Sequence, residues 1–180
     1  TANAPETKDN DFTWADFQAR NNNELVAVFG NFVNRVSVLT QKYYDGVVPK
    51  AGLLTQTDQN TINELRAYPA VIASSIEKYR FREAQTEFMN VARLGNKYLA
   101  DAEPWKLVKT DPERTQTVLF VALQITAALA VLAEPFLPHT SAKLKDTLSF
   151  DALATKPTWP EMTHEVYWLP EGHQITQTPL

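Results

Sequence analysis

The stretch NFVNR places an amide, Asn31, and a guanidinium, Arg35, inside an otherwise apolar segment. Four residues apart on a helix, the two side chains point the same way. At about 100° per residue they lie roughly 80 to 120° from the centre of the stripe made by Leu25, Phe29, Phe32 and Val36. They therefore flank a core rather than fill it. Lys42 projects in nearly the same direction one heptad later and gives this ribbon a positive bias. The plainer alternative is a snorkelling surface arginine beside an ordinary exposed amide.

Trp105 is the second candidate. It follows Pro104 at a helix corner, with Lys97, Lys106 and Lys109 close in sequence. Such an indole either closes a gap in the core or stands proud in a basic neighbourhood, the setting in which flat aromatics stack on nucleobases.

Other chemistries are excluded by what the sequence lacks. With no cysteine there is no disulfide framework, thiol nucleophile or thiolate zinc site. His139, His164 and His173 show no metal-ligand spacing, so no metal is expected. The five glycines form no phosphate-cradling loop, and no Ser or Thr lies in a nucleophile-elbow context. The carboxylates read as solvent-facing and pair with no histidine, so the chain is expected to hold no catalytic site of its own. A formal net charge of -4 gives no long-range field for a polyanion, so any such partner must meet a local patch.

The elements that would position these groups follow from apolar spacing. Thr13 and Asp16 resemble a capping pair for a short helix reaching about Arg20. Leu25, Phe29, Phe32, Val36, Leu39 and Tyr43 then define a longer helix, stopped by Gly46 and Pro49. Thr57 or Asp58 can cap a third helix carrying Ile62, Leu65, Ile72 and Ile76, in which Pro69 predicts a kink. Phe81 to about Ala100 forms a fourth. Pro104 opens a short helix that Asp101 or Glu103 can cap, and Asp111-Pro112-Glu113 starts the most apolar one. Its run, Val118 to Ala133, is shorter than the roughly 20 residues that span a bilayer and reads as a buried central helix, with no membrane partner. A last helix begins near Thr140 with Ala142, Leu144 and Leu148 as its apolar positions. No sustained apolar-polar alternation occurs. The fold class expected is all-α: an antiparallel bundle of about five main helices with an extended C-terminal tail. Residues 1–12 read as a flexible linker, 13–150 as the helical domain and 151–180 as a tail packing on it. The polar start, TANAPETKDND, has neither signal-peptide nor transit-peptide character, so a cytoplasmic protein is expected.

Four stretches, NELVAVFGNFVNR, KYYDG, LGNKYLADAEPWK and EPFLPHTSAKL, resemble in order and spacing the anticodon-binding domain of methionyl-tRNA synthetases, over about residues 20 to 150. WLPEGHQITQTPL is similar to the closing segment of that family. A helical bundle alone is common to class I synthetases for several amino acids; the Asn-Arg pair followed some seventy residues later by Pro-Trp is what points to methionine. The resemblance implies an excised C-terminal domain of a methionine-tRNA ligase. Neither the histidine-glycine signature nor the lysine-rich mobile loop of a class I catalytic domain is present.

The resemblance further implies that Asn31, Arg35 and Trp105 contact the CAU anticodon of methionine tRNA, chiefly its first cytosine, with Asn96 as a supporting residue. The partners expected are that tRNA, through its anticodon loop, and the catalytic domain of the same polypeptide, which would use ATP and methionine; this domain would need no cofactor. Two rival readings stand beside it. One is a helical module that binds protein through the Asn-Arg face or the tail around Trp159 and Trp168. The other is the anticodon domain of another class I synthetase.

Overall fold

The computed structural model describes residues 11–159, 162, 164 and 167–176. Most of the expected linker, residues 1–10, lies outside them, as do parts of the tail.

The first two expected helices are one continuous rod. Thr13 caps α1, Trp14–Arg20, by accepting from the Asp16 N–H. The backbone then continues without a break through a π-helical stretch, Asn21–Gly30, into α2, Asn31–Tyr44. A π stretch of this length is rare, and such segments gather at functional sites. Helix α1 buries no residue, and its rings Trp14 and Phe17 cluster in solvent with Phe12, which lies just before it.

Helices α3, Gln56–Glu77, and α4, Phe81–Ala102, form a hairpin. The cap of α3 is Thr55 rather than Thr57 or Asp58. Its hydroxyl accepts from the Asp58 N–H while the Asp58 carboxylate accepts from the Thr55 N–H, a reciprocal pair of bonds. Helix α3 runs through Pro69, which is buried and whose carbonyl accepts from the Trp159 indole N–H at 3.2 Å.

Helix α5 is four residues, Pro104–Leu107, and α6 runs Pro112–Leu132. By length and composition α6 could cross a membrane, but 94% of its most apolar window is buried inside the bundle. It is the central helix, packed by α2, α3, α4 and α7. Helix α7, Pro138–Thr147, begins two residues before the expected Thr140, since Pro138 suits a first turn. Leu144 and Leu148 are buried but Ala142 is exposed.

The bundle thus has five main helices, α2, α3, α4, α6 and α7. The described residues contain no strand, only an isolated antiparallel bridge between Val47 and Gln174. Beyond the short 3-10 turn Phe150–Ala152, the tail buries Met162, Trp168, Leu169 and Ile175. Its anchor is Gln124, which interrupts the apolar run of α6. The Gln124 carbonyl oxygen accepts from the Trp168 and Leu169 N–H groups at 2.8 and 3.0 Å, and its amide donates to the Leu169 carbonyl at 2.9 Å.

Candidate functional site

The four residues singled out in the sequence come together where α2 crosses α4 and α5. Gly95 makes that crossing close: a Cβ built there would lie 2.5 Å from the ring tip of buried Phe32. Only glycine lets the Phe32 ring lie this close to the α4 backbone. The next residue, Asn96, is thereby brought against the α2 rod. Its Nδ2 donates to the Val28 carbonyl at 2.9 Å and to the Ala92 carbonyl of its own helix at 3.0 Å. Its Oδ1 accepts from Asn31 Nδ2 at 3.4 Å, a long bond on an exposed surface.

One turn further, Arg35 lies over Trp105, with its guanidinium carbon 5.5 Å from the indole centroid. Trp105 is partly buried and partly exposed, because α4 ends in a left-handed residue, Glu103 (φ 45°, ψ 54°), and the chain turns sharply into α5. Pro104 is buried and anchors the corner. Glu103 stands at the start of α5 but does not cap it with its side chain; its carboxylate pairs with Lys106 at 2.7 Å instead. That pairing takes up one of the lysines expected to surround the indole. Lys42 lies over the Tyr43 ring at 5.2 Å.

The donors and acceptors left over define the chemistry. No hydrogen bond or ion pair from a described residue engages the Arg35 guanidinium, so its fork is available. Asn31 spends an N–H on Asn96 and keeps its Oδ1 free. A planar cation braced on a partly exposed ring, beside an amide oxygen, suits a flat ligand with adjacent acceptors and one donor on its edge.

The reading of all carboxylates as solvent-facing is corrected by Asp58, whose side chain is fully buried. Arg114 at the start of α6 grips it with two bonds, 2.6 and 2.8 Å, and the Tyr98 hydroxyl donates to it at 2.6 Å. Burial pushes this carboxyl up, but the hydrogen bonds from Arg114, Tyr98 and Thr55 together outweigh it and hold the group below its ordinary value. Burial and the hydrogen bond to Asp58 push the Tyr98 phenol well above its usual range. The cluster ties α3, α4 and α6 together just before the corner that carries Trp105. The sequence held a signal for part of it: Thr55 and Asp58 have capping-box spacing, which places Asp58 in the first turn of α3.

A family model described as the anticodon binding domain of methionyl tRNA ligase matches residues 48–179, most of the chain. The chain belongs to this family. A second model, for class I tRNA synthetases of the methionine type, matches residues 1–37. The candidate site spans the two matches, with Asn31 and Arg35 in one and Asn96 and Trp105 in the other. The methionine–tRNA ligase of Christiangramia forsetii is 63% identical over 182 residues, covering all of this chain and 26% of that protein. That of Flavobacterium psychrophilum is 65% identical over 175 residues, covering 97% of this chain and 25% of that protein. The chain thus spans about a quarter of the length of the curated relatives it matches. The methionyl-tRNA synthetase of Mycobacterium tuberculosis, solved in complex with methionyl-adenylate, superposes with a TM-score of 0.87 over 97% of this chain and 34% of that one. At 21% identity this is a likeness of fold.

Proposed function

We propose that this domain reads the CAU anticodon of methionine tRNA through Asn31, Arg35 and Trp105, with Asn96 in support, for a cytoplasmic methionine–tRNA ligase. Catalysis, with its ATP and methionine, belongs to another part of that polypeptide. The observation that carries the reading is Arg35 lying over a partly exposed Trp105 with its donors unengaged.

Proteins read single-stranded RNA loops by splaying bases out, stacking them on rings or guanidinium planes and bonding their edges. Trp105 supplies the stacking face, worth roughly 1 to 3 kcal/mol per base whatever its identity. Identity comes from the edge. Cytosine presents two acceptors, N3 and O2, and one donor, its exocyclic amine. Arg35 donates to the first two, and the free Asn31 Oδ1 accepts from the third. Uracil inverts the pattern at two of these positions. A well-placed bidentate contact discriminates by about 1 to 3 kcal/mol. Rigid packed helices hold both groups, so little entropy is lost on binding. The exposed rings of α1, within the class I synthetase match, are the apolar surface fitted to the catalytic portion.

Trp105→Ala is expected to weaken binding of methionine tRNA tenfold or more with the fold intact by circular dichroism, and Arg35→Gln to erase the preference for CAU over an altered anticodon in a gel shift. Unchanged binding by both variants would overturn the reading.

A further inference from the structure

We infer that Asn96 is the specificity-determining positioning residue of this site: it makes the pocket refuse uracil without touching the base. The inference rests on the anticodon reading above and deepens it.

An asparagine amide has two orientations about its last torsion, close in energy unless neighbours choose between them. At Asn96 two main-chain carbonyls choose. Val28 and Ala92 both accept from its Nδ2, so the flipped amide would set its oxygen against two carbonyl oxygens. The Asn96 oxygen therefore faces Asn31. Asn31 can meet it only with its own Nδ2, because the flipped amide would bring two acceptors together at the same 3.4 Å separation. The Asn31 oxygen is thus left pointing away as the acceptor offered to the ligand. The polarity passes from fixed backbone, through one amide, to a second at the surface. The sign of each contact follows from donor and acceptor identity.

Without Asn96, the Asn31 amide turns freely. Toward cytosine it still finds the right orientation, at the cost of choosing one of two states, about a twofold loss. Toward uracil it turns its NH2 to the O4 carbonyl, a contact that the intact site disfavours. The expected effect is unusual: deleting a polar residue improves binding to the wrong anticodon, by up to about tenfold. The mismatch between Arg35 and uracil N3–H remains and keeps some preference for cytosine.

The test uses the 180-residue chain and two methionine tRNA transcripts that differ only at the first anticodon base, CAU and UAU, with affinities read by fluorescence anisotropy. For Asn96→Ala we expect CAU binding within about twofold of the unaltered chain and a gain of several-fold for UAU. Asn31→Asp in the Asn96→Ala background presents an oxygen in either orientation, so the CAU-to-UAU ratio should return even though the added charge lowers both affinities. Parallel loss of both affinities in Asn96→Ala, or an unchanged ratio, overturns the proposal and makes Asn96 a structural residue. Arg35→Gln and Trp105→Ala separate the two levels: if these variants lose CAU binding while Asn96→Ala leaves the ratio alone, only the amide relay fails. If the unaltered chain binds neither transcript, the anticodon reading fails with it.

Discussion

Replacing Gly95 with alanine adds one methyl group, and its consequences separate local propensity from tertiary packing. In an exposed helix the change would stabilise, by about 1 kcal/mol, because alanine loses less backbone entropy. Here the new Cβ would stand 2.5 Å from two atoms of the Phe32 ring tip and 2.8 Å from a third. Carbon atoms pack at about 3.5 to 4 Å, so ring and helix must separate by on the order of 1 Å. Phe32 is fully buried, and close-packed interiors give a ring little room to turn. Overpacking of this kind costs about 1 to 3 kcal/mol, so a net loss of up to about 2 kcal/mol remains after the propensity gain. The site should suffer more than the fold. The Arg35–Trp105 contact, at 5.5 Å, is already near the roughly 6 Å limit for a cation over a ring, and the Asn31–Asn96 bond is already long. A shift of about 1 Å breaks both, and the loss of a braced stacking platform predicts about tenfold or more weaker binding of methionine tRNA. Urea unfolding gives the stability change and anisotropy gives the affinity. A variant about 1 kcal/mol more stable than the parent with unchanged tRNA affinity would refute the close approach of α2 and α4 as the device that builds the site.

Two further outcomes follow from buried polar groups. Asp58→Asn leaves Arg114 without its charge partner and should cost about 3 kcal/mol at neutral pH by urea unfolding. The folded-state pKa of Asp58 is lowered, so its contribution is present above the ordinary carboxylate range and lost as pH falls through the depressed value; the gap between the two proteins should narrow in acid. Gln124→Met strips Trp168 and Leu169 of three buried hydrogen bonds, at about 1 to 3 kcal/mol for each group left unpaired. Because that loss falls on the tail, amide exchange over Tyr167 to Thr176 should speed up well before that of α6, and equal protection in both proteins would count against Gln124 as the anchor.

Most of the helices were legible because a helix that buries one face must repeat apolar residues every three or four positions, and this chain does so from Leu25 to Leu148. The direction of Asn31 and Arg35 was legible for the same reason, since angles around a helix follow from residue number alone. What periodicity does not carry is which helix meets which, and at what distance. Asp58 read as a surface cap because its burial depends on Tyr98 and Arg114, 40 and 56 residues away. Gln124 read as an interruption in an apolar run because its partners lie in a tail with no period. The continuity of α1 with α2 was hidden because a π stretch spaces residues differently from the α repeat used to find them. Residue types and local spacing by themselves determined an all-helical chain with an amide and a guanidinium flanking its core, and left open whether the Trp105 indole fills that core or stands out of it. Only the tertiary structure decided that Gly95 draws α4 against Phe32, that Arg35 comes to rest on Trp105, and that the Asn31 amide meets Asn96, because each depends on contacts between segments far apart in the chain.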